Sequence, residues 1–358
     1  MFRLMRRIAL IPGDGIGIDV TREAAKVLRT VAAGSDLSLD LVEWDLGADR
    51  YLRTGVAITE EEMAELERYD AIFLGAIGDP RVPDNAHARA ILLGLRFRLD
   101  LYINFRPNLL FESWLSPLKD VSPGDVDITI FRENTEGSYV GLGGKFRKGT
   151  PDEVAIEEDI NTRKGVERII RAAFEYARAR GRRRVTLTDK ANAMQHAGEL
   201  WRRVFKLVGE EYGDIERNAV YIDALALDLV RRPSQYDVIV APNLFGDILS
   251  DLAAALIGGL GLAPSANLHP GKPGLFEPVH GSAPDLVGTG KANPIAAILT
   301  AALLLRDIGA GEAADRVEAA VRAAVSARKL TPDLGGSMTT AEVGDWICER
   351  VNRPELIA

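Results

Sequence analysis

A chain of 358 residues, 47% hydrophobic and 27% charged, has the composition of a globular protein of roughly two domains with ample core. Its net charge of −8 argues against nucleic acid as the main partner, because phosphate backbones are bound by basic surfaces. The single cysteine, Cys348, forms no internal disulfide and suits a reducing compartment, and four scattered histidines offer little material for a His/Cys zinc site.

The chain begins with a basic stretch, Arg3 to Arg7, and the short apolar run Ile8 to Ile11, which ends at Pro12-Gly13 and is too short for a secretory signal. Apolar runs at 253–263 and 295–305 also fall short of the ~20 residues a membrane span needs, so a cytoplasmic protein with no membrane partner is expected. Ile8 to Ile11 reads as a strand entering the glycine turn 13–17 and then a helix over Val20 to Leu28. Residue 18 is isoleucine, so the dinucleotide fingerprint is not met. A tight strand-to-helix turn and a phosphate contact both remain open there.

Further along, a strand at Ala71 to Leu74 precedes a helix at His87 to Leu95, on which Arg89, Leu92 and Leu93 are expected to share one face with Arg96. Arg106 follows ten residues after Arg96, and Arg132 follows the strand Ile128 to Phe131. Three converging guanidinium forks suit a di- or tricarboxylate, while each alone reads equally as a surface ion-pair residue. Tyr139 lies seven residues beyond Arg132, and Lys190 follows the strand Val185 to Thr188. Both can relay protons if nearby positive charge lowers their pKa values.

The stretch 141–161 lacks a helical period and reads as a protruding hairpin suited to a dimer contact. After it, Val166 to Ala177 has the 3.6-residue period. The arginines at 178–184 close that helix and complement its dipole, with Gly181 as its cap, rather than forming a nucleic-acid patch. A helix at Met194 to Val208, a third carboxylate at the strand end Asp223, a strand at Val238 to Ala241 and a helix at Leu249 to Ile257 complete an alternating α/β pattern. Within 243–251, Asp247 and Asp251 are spaced to lie on one helix face. Two like charges there fit either a solvated face or a hard cation, Mg²⁺ or Mn²⁺, held by oxygen.

Seven segments in order, 13–17, 95–107, 132–137, 189–192, 223–224, 243–251 and 277–285, resemble the metal-dependent β-decarboxylating dehydrogenases, which act on isopropylmalate, isocitrate, homoisocitrate, tartrate or D-malate. The resemblance implies the isopropylmalate/isocitrate dehydrogenase-like fold, a three-layer α/β architecture of two domains around a large mixed sheet with no true Rossmann domain. It implies a discontinuous cofactor-binding domain, 1–101 plus 258–358, and a small domain, 102–257, carrying the dimer interface and arm. Arg96, Arg106 and Arg132 would grip the malate carboxylates. Asp247 and Asp251, with Asp223 from the other subunit, would hold Mg²⁺ or Mn²⁺. Lys190, also from the partner subunit, would take the hydroxyl proton, and Tyr139 would protonate the enolate left by CO₂. An obligate homodimer with shared sites follows.

The resemblance also implies NAD as cofactor, contacted by Asn192 and by a loop of His280, Gly281, Ser282, Ala283 and Asp285, with Asn293 at the adenine. Asp285 would accept from ribose hydroxyls and repel a 2′-phosphate. Leu92 and Leu93 before Leu95-Arg96 match the isopropylmalate type and predict an alkyl substituent on the substrate. Arg89, where many such enzymes have Glu, keeps D-malate, tartrate and isocitrate-like acids as alternatives. Ile18-Asp19 for the usual Pro-Glu and Lys291 for an apolar residue are milder departures. A silent regulatory subunit is a further alternative, but it should have changed Tyr139, Lys190 or an acid, and all are present.

Overall fold

The computed structural model describes residues 5–353 and 355. The chain forms two compact units, one of residues 1–101, 109–124 and 254–358, the other of residues 102–108 and 125–253. Segment 109–124 thus groups with the first unit, a crossing that the motif order does not signal.

In the first unit, β1 (Met5–Gly13) lies between the parallel strands β2 (Ser38–Glu43) and β3 (Ala71–Ala76). β12 (Gly274–Phe276) extends β3 in parallel, and β11 (Ala266–Leu268) pairs antiparallel to β12, which makes this sheet mixed. Every residue of β3 is buried, as expected of a strand covered on both faces. Helix α1 (Gly17–Ala33) buries the stripe Val20, Ala24, Val27, Leu28 and Val31. Helices α2 (Ala48–Thr54) and α3 (Glu60–Leu66) follow, the latter opened by a reciprocal cap between Thr59 and Glu62. The apolar run 295–305 becomes α10 (Ile295–Asp307), whose residues from Ile295 to Ala302 are all buried. α11 (Gly311–Ser326) and α12 (Thr340–Val351) pack alongside it or α1.

The helix expected at His87 to Leu95 forms irregularly, as α4 (Ala86–Ala88), a π turn at Arg89–Leu93 and α5 (Gly94–Arg98). The wider turn rotates Arg89 away from its expected α-helical register with Arg96, and Arg89 is exposed while Arg96 is buried.

The glycine segment forms a tight strand-to-helix turn. Gly13 and Gly15 have φ of +72° and +60°, and a Cβ on Gly15 would stand 2.1 Å from the Ser282 carbonyl oxygen. The buried Asp14 carboxylate accepts from the Ala48 N–H at 2.6 Å and the Gly78 N–H at 2.8 Å, and lies 2.7 Å from His87 Nε2.

The second unit is built on β4 (Ile103–Leu109), β5 (Asp127–Glu133), β10 (Val238–Ala241), β8 (Arg184–Asp189) and β9 (Glu216–Tyr221), in that spatial order, with β5, β10, β8 and β9 all parallel. Its helices are α6 (Arg163–Ala179), α7 (Gln195–Gly209), α8 (Ile222–Arg231) and α9 (Asn243–Leu256) through Ala253. The register pairs Ala241 with Arg132 and Asp189 with Tyr221, so the carboxyl ends of the strands share one edge. The hairpin forms as β6 (Gly143–Phe146) paired antiparallel with β7 (Val154–Glu157), every residue exposed. Three arginines of the basic run at the end of α6 form ion pairs: Arg178 with Asp214, Arg182 bidentate with Asp127, Arg184 with Glu216. Among the described residues, no helix is long and apolar enough to cross a membrane.

Candidate active site

Ligand sites in open parallel sheets gather at the carboxyl ends of strands, and the second unit puts its reactive side chains there. Arg132 is the penultimate residue of β5, within the strand rather than after it, and Asn243 opens α9 two residues beyond β10. Lys190 follows β8, and Asp223 lies in the first turn of α8, past the strand end where it was expected.

One cluster forms around α9. Arg132, only 2% exposed, donates from Nε to Asn243 Oδ1 at 2.9 Å and from Nη1 to Asp247 Oδ1. Arg106, on β4, reaches Asp247 and Asp251 at 3.5 Å each and donates to Ser250 Oγ. The Tyr139 hydroxyl donates to Asp247 Oδ2 at 2.8 Å, and the Arg132 guanidinium lies 5.0 Å from its ring centre. Gly246 is required here, since a Cβ would stand 2.7 Å from the Arg132 side chain. Partial burial pushes the Asp251 carboxyl above its ordinary range; the Asp247 charge adds to this and Arg106 opposes it. Burial and the hydrogen bond to Asp247 outweigh Arg132 and raise the Tyr139 pKa among the chain's own groups. A phenol that keeps its proton is suited to donating it.

A second cluster is the pair Lys190 Nζ to Asp223 Oδ1 at 2.7 Å, which holds the exposed Asp223 below its usual range. Asp223 does not join Asp247 and Asp251: among the described residues, no three His, Cys, Asp or Glu side chains gather closely enough to hold a metal ion.

In the first unit, Arg96 donates to Glu277 Oε1 at 2.7 Å, and Asn267 holds the same oxygen at 2.8 Å. Leu92 packs against the core cluster containing Ile91, Leu95 and Leu275, so it serves the core as well as any apolar wall, whereas Leu93 is half-buried outside that cluster. The 280–285 loop is tied to the glycine turn by the Ile16 N–H donating to the Ser282 carbonyl at 2.8 Å. Ala283 adopts φ +38°, Gly281 and Asp285 are exposed, and burial lowers the His280 pKa. The Asn293 side chain is engaged with Asp333 at 3.0 Å and the Ile295 N–H at 3.0 Å. Asn192, in the second unit, is exposed. The first unit also has a cavity of ≈ 420 Å³ near Arg6 and Gly311, with no candidate residue in its lining.

Sequence reasoning assigned no role to Asn243, Ser250, Glu277 or Glu136. Each lies inside a recognised motif, and the signal available was a polar residue adjoining an arginine or acid there.

A two-unit α/β chain that gathers arginines, acids and a tyrosine around one helix has the donors and acceptors of a site for acidic ligands. Residues 7–347 match isocitrate/isopropylmalate dehydrogenase, and the chain belongs to that family of decarboxylating dehydrogenases. It is 49% identical over 349 residues to the 3-isopropylmalate dehydrogenase of Corynebacterium kroppenstedtii, covering 97% of this chain and 99% of that protein. The enzyme of the same name from Beutenbergia cavernae is 48% identical over 347 residues, covering 96% and 98%. The isocitrate dehydrogenase of Methylococcus capsulatus superposes with a TM-score of 0.89 at 37% identity, covering 98% of this chain and all of that one.

Proposed function

We propose that this chain catalyses the NAD-dependent oxidative decarboxylation of a 3-substituted malate, with 3-isopropylmalate as the substrate, yielding 2-oxoisocaproate and CO₂ in leucine biosynthesis. The observation that carries this reading is the α9 cluster, where two arginines, two acids and a protonated tyrosine meet on one unit. Paired carboxylates on adjacent helical turns form an all-oxygen donor set that fits Mg²⁺ or Mn²⁺. Asp247 and Asp251 would hold the ion with Asp223 of a second copy. When bound, the cation supplies Lewis-acid polarisation of the substrate oxygens, and NAD supplies the hydride acceptor.

The chain's own residues do the rest. Arg106 and Arg132, with Arg96, hold the substrate carboxylates by bidentate forks. Lys190 of the second copy takes the hydroxyl proton as the C2 hydrogen leaves as hydride. The electrons of the C3–CO₂ bond then form an enolate, and Tyr139 delivers its proton to C3, so hydrogens and charge balance without a further reactant. Asn192 and the loop of His280, Gly281, Ser282, Ala283 and Asp285, with Asn293, seat NAD, Asp285 disfavouring a 2′-phosphate.

A homodimer with shared sites is supported by the pairing of Lys190 with Asp223 away from the other acids. It is also supported by exposed apolar side chains on the second unit: Leu227 and Val230 on α8, Leu244 and Ile248 on α9, and Phe146 and Val154 on the arm. The test is NADH absorbance with 3-isopropylmalate, D-malate, tartrate, isocitrate and homoisocitrate, with Mn²⁺ and then with EDTA. 3-Isopropylmalate should give the highest kcat/KM, and EDTA should abolish turnover. A clear preference for isocitrate, or turnover indifferent to EDTA, would sink the reading.

A further inference from the structure

Resting on that reading, we infer that Glu136 is a positioning residue: it fastens the base of the arm to the loop that delivers Tyr139, and so aims the proton donor at the substrate. Of the acids at 132–137, the proposed reaction uses neither Glu133 nor Glu136. Glu136 reaches across 26 residues to accept from Thr162 Oγ1 at 2.5 Å and from the Thr162 N–H at 2.7 Å. Thr162 is itself the cap of α6, accepting from the Gly165 N–H at 3.0 Å. Gly165 leaves room for the carboxylate, since a Cβ there would stand 2.3 Å from its carbon.

The next residue continues the clasp. The Gly137 N–H donates to the Ile160 carbonyl at 2.7 Å and the Ile160 N–H returns to the Gly137 carbonyl at 3.3 Å. The two ends of the arm are thus bound together where the chain leaves and re-enters the unit. Asn243 locks the same point to the cluster, donating to the Glu136 carbonyl at 2.8 Å while accepting from Arg132. On the other side, Glu133 accepts from the Thr135 N–H at 3.0 Å and the Glu136 N–H at 2.7 Å. With both flanks fixed, Tyr139 emerges two residues after Gly137, and its hydroxyl meets Asp247. A carboxylate that binds two donors at once limits how far this loop can shift, and proton transfer to carbon needs the donor within hydrogen-bond reach of one face.

The test is turnover of 3-isopropylmalate in D₂O with NAD and Mn²⁺, with the product trapped as it forms. The wild-type dimer should place one deuterium at C3 on a single face. Glu136→Gln leaves one acceptor for two donors; it should lower kcat about tenfold while KM stays within about twofold, and the deuterium should scatter over both faces as solvent protonates the enolate. Tyr139→Phe should scatter it in the same way. Thr162→Val removes the hydroxyl donor from the opposite side and gives the measurement independently of how Glu136→Gln folds. If both position variants keep single-face labelling while stability or kcat falls, Glu136 is merely structural and the inference is overturned. Unselective labelling by the wild type would overturn it together with Tyr139 as donor, whereas absence of turnover on any malate would strike the proposed reaction itself.

Discussion

Asp247 accepts from Arg132 and Tyr139 and lies 3.5 Å from Arg106, yet remains 36% exposed. An acid so placed is neutralised by its surroundings and still open to a ligand. Asp247→Asn keeps the size and a hydrogen-bonding oxygen but loses the charge a cation needs. Turnover should therefore fall by roughly two to three orders of magnitude while Tm moves by only a few degrees. Steady-state kinetics beside calorimetry checks this, and matched losses would mark the acid as structural. The helical pairing of Asp247 and Asp251 was legible because helical spacing is readable from sequence, whereas the exact placement of Arg132 and Asp223 at strand ends was not. The Tyr139 pKa direction was not legible either, since it depends first on burial and then on a hydrogen bond to Asp247 across 108 residues. Nor was the core packing of Leu92, because periodicity alone does not reveal the π turn that carries it.

At the scale of elements, α3 shows how local chemistry sets stability. Glu62 returns the Thr59 cap and receives a bidentate pair from Arg50 at 2.7 and 2.8 Å, and these bonds, Arg50's foremost, hold its pKa below the ordinary value. A depressed folded pKa contributes stability that is present above the unfolded value and lost as pH falls through the folded one. The stability gap between wild type and Glu62→Gln should accordingly be about 1 kcal/mol near neutrality and narrow as the pH falls below the ordinary value of 4.5, measured by urea unfolding across pH. A gap unchanged by pH would show that the carboxylate charge is not involved. Helix α10 tests burial instead. Leu304 is fully buried, and Leu304→Ala should cost about 2–5 kcal/mol with KM nearly unchanged. The alternation of strands and helices was readable from apolar runs. The short strands β11 and β12, three residues each, were not, because so few residues show no period.

For the whole molecule, the decisive arrangement is that the lysine and third acid pair with each other instead of joining the α9 cluster. If each site combines Lys190 and Asp223 of one copy with Asp247 and Asp251 of another, the reaction belongs to the dimer. Specific activity should then fall on dilution in step with dissociation, as followed by sedimentation. The motif order carried the family membership from sequence, and the resemblance implied that Lys190 and Asp223 come from a partner subunit.

The most direct measurement mixes two disabled chains, Lys190→Met and Asp247→Asn, after unfolding and refolding them together. Each alone should be inactive, and random pairing should restore about a quarter of wild-type activity, because half the dimers are mixed and each mixed dimer rebuilds one intact site of two. If the mixture stays as inactive as its parents although mixed dimers form, each site lies within a single chain and the account is wrong.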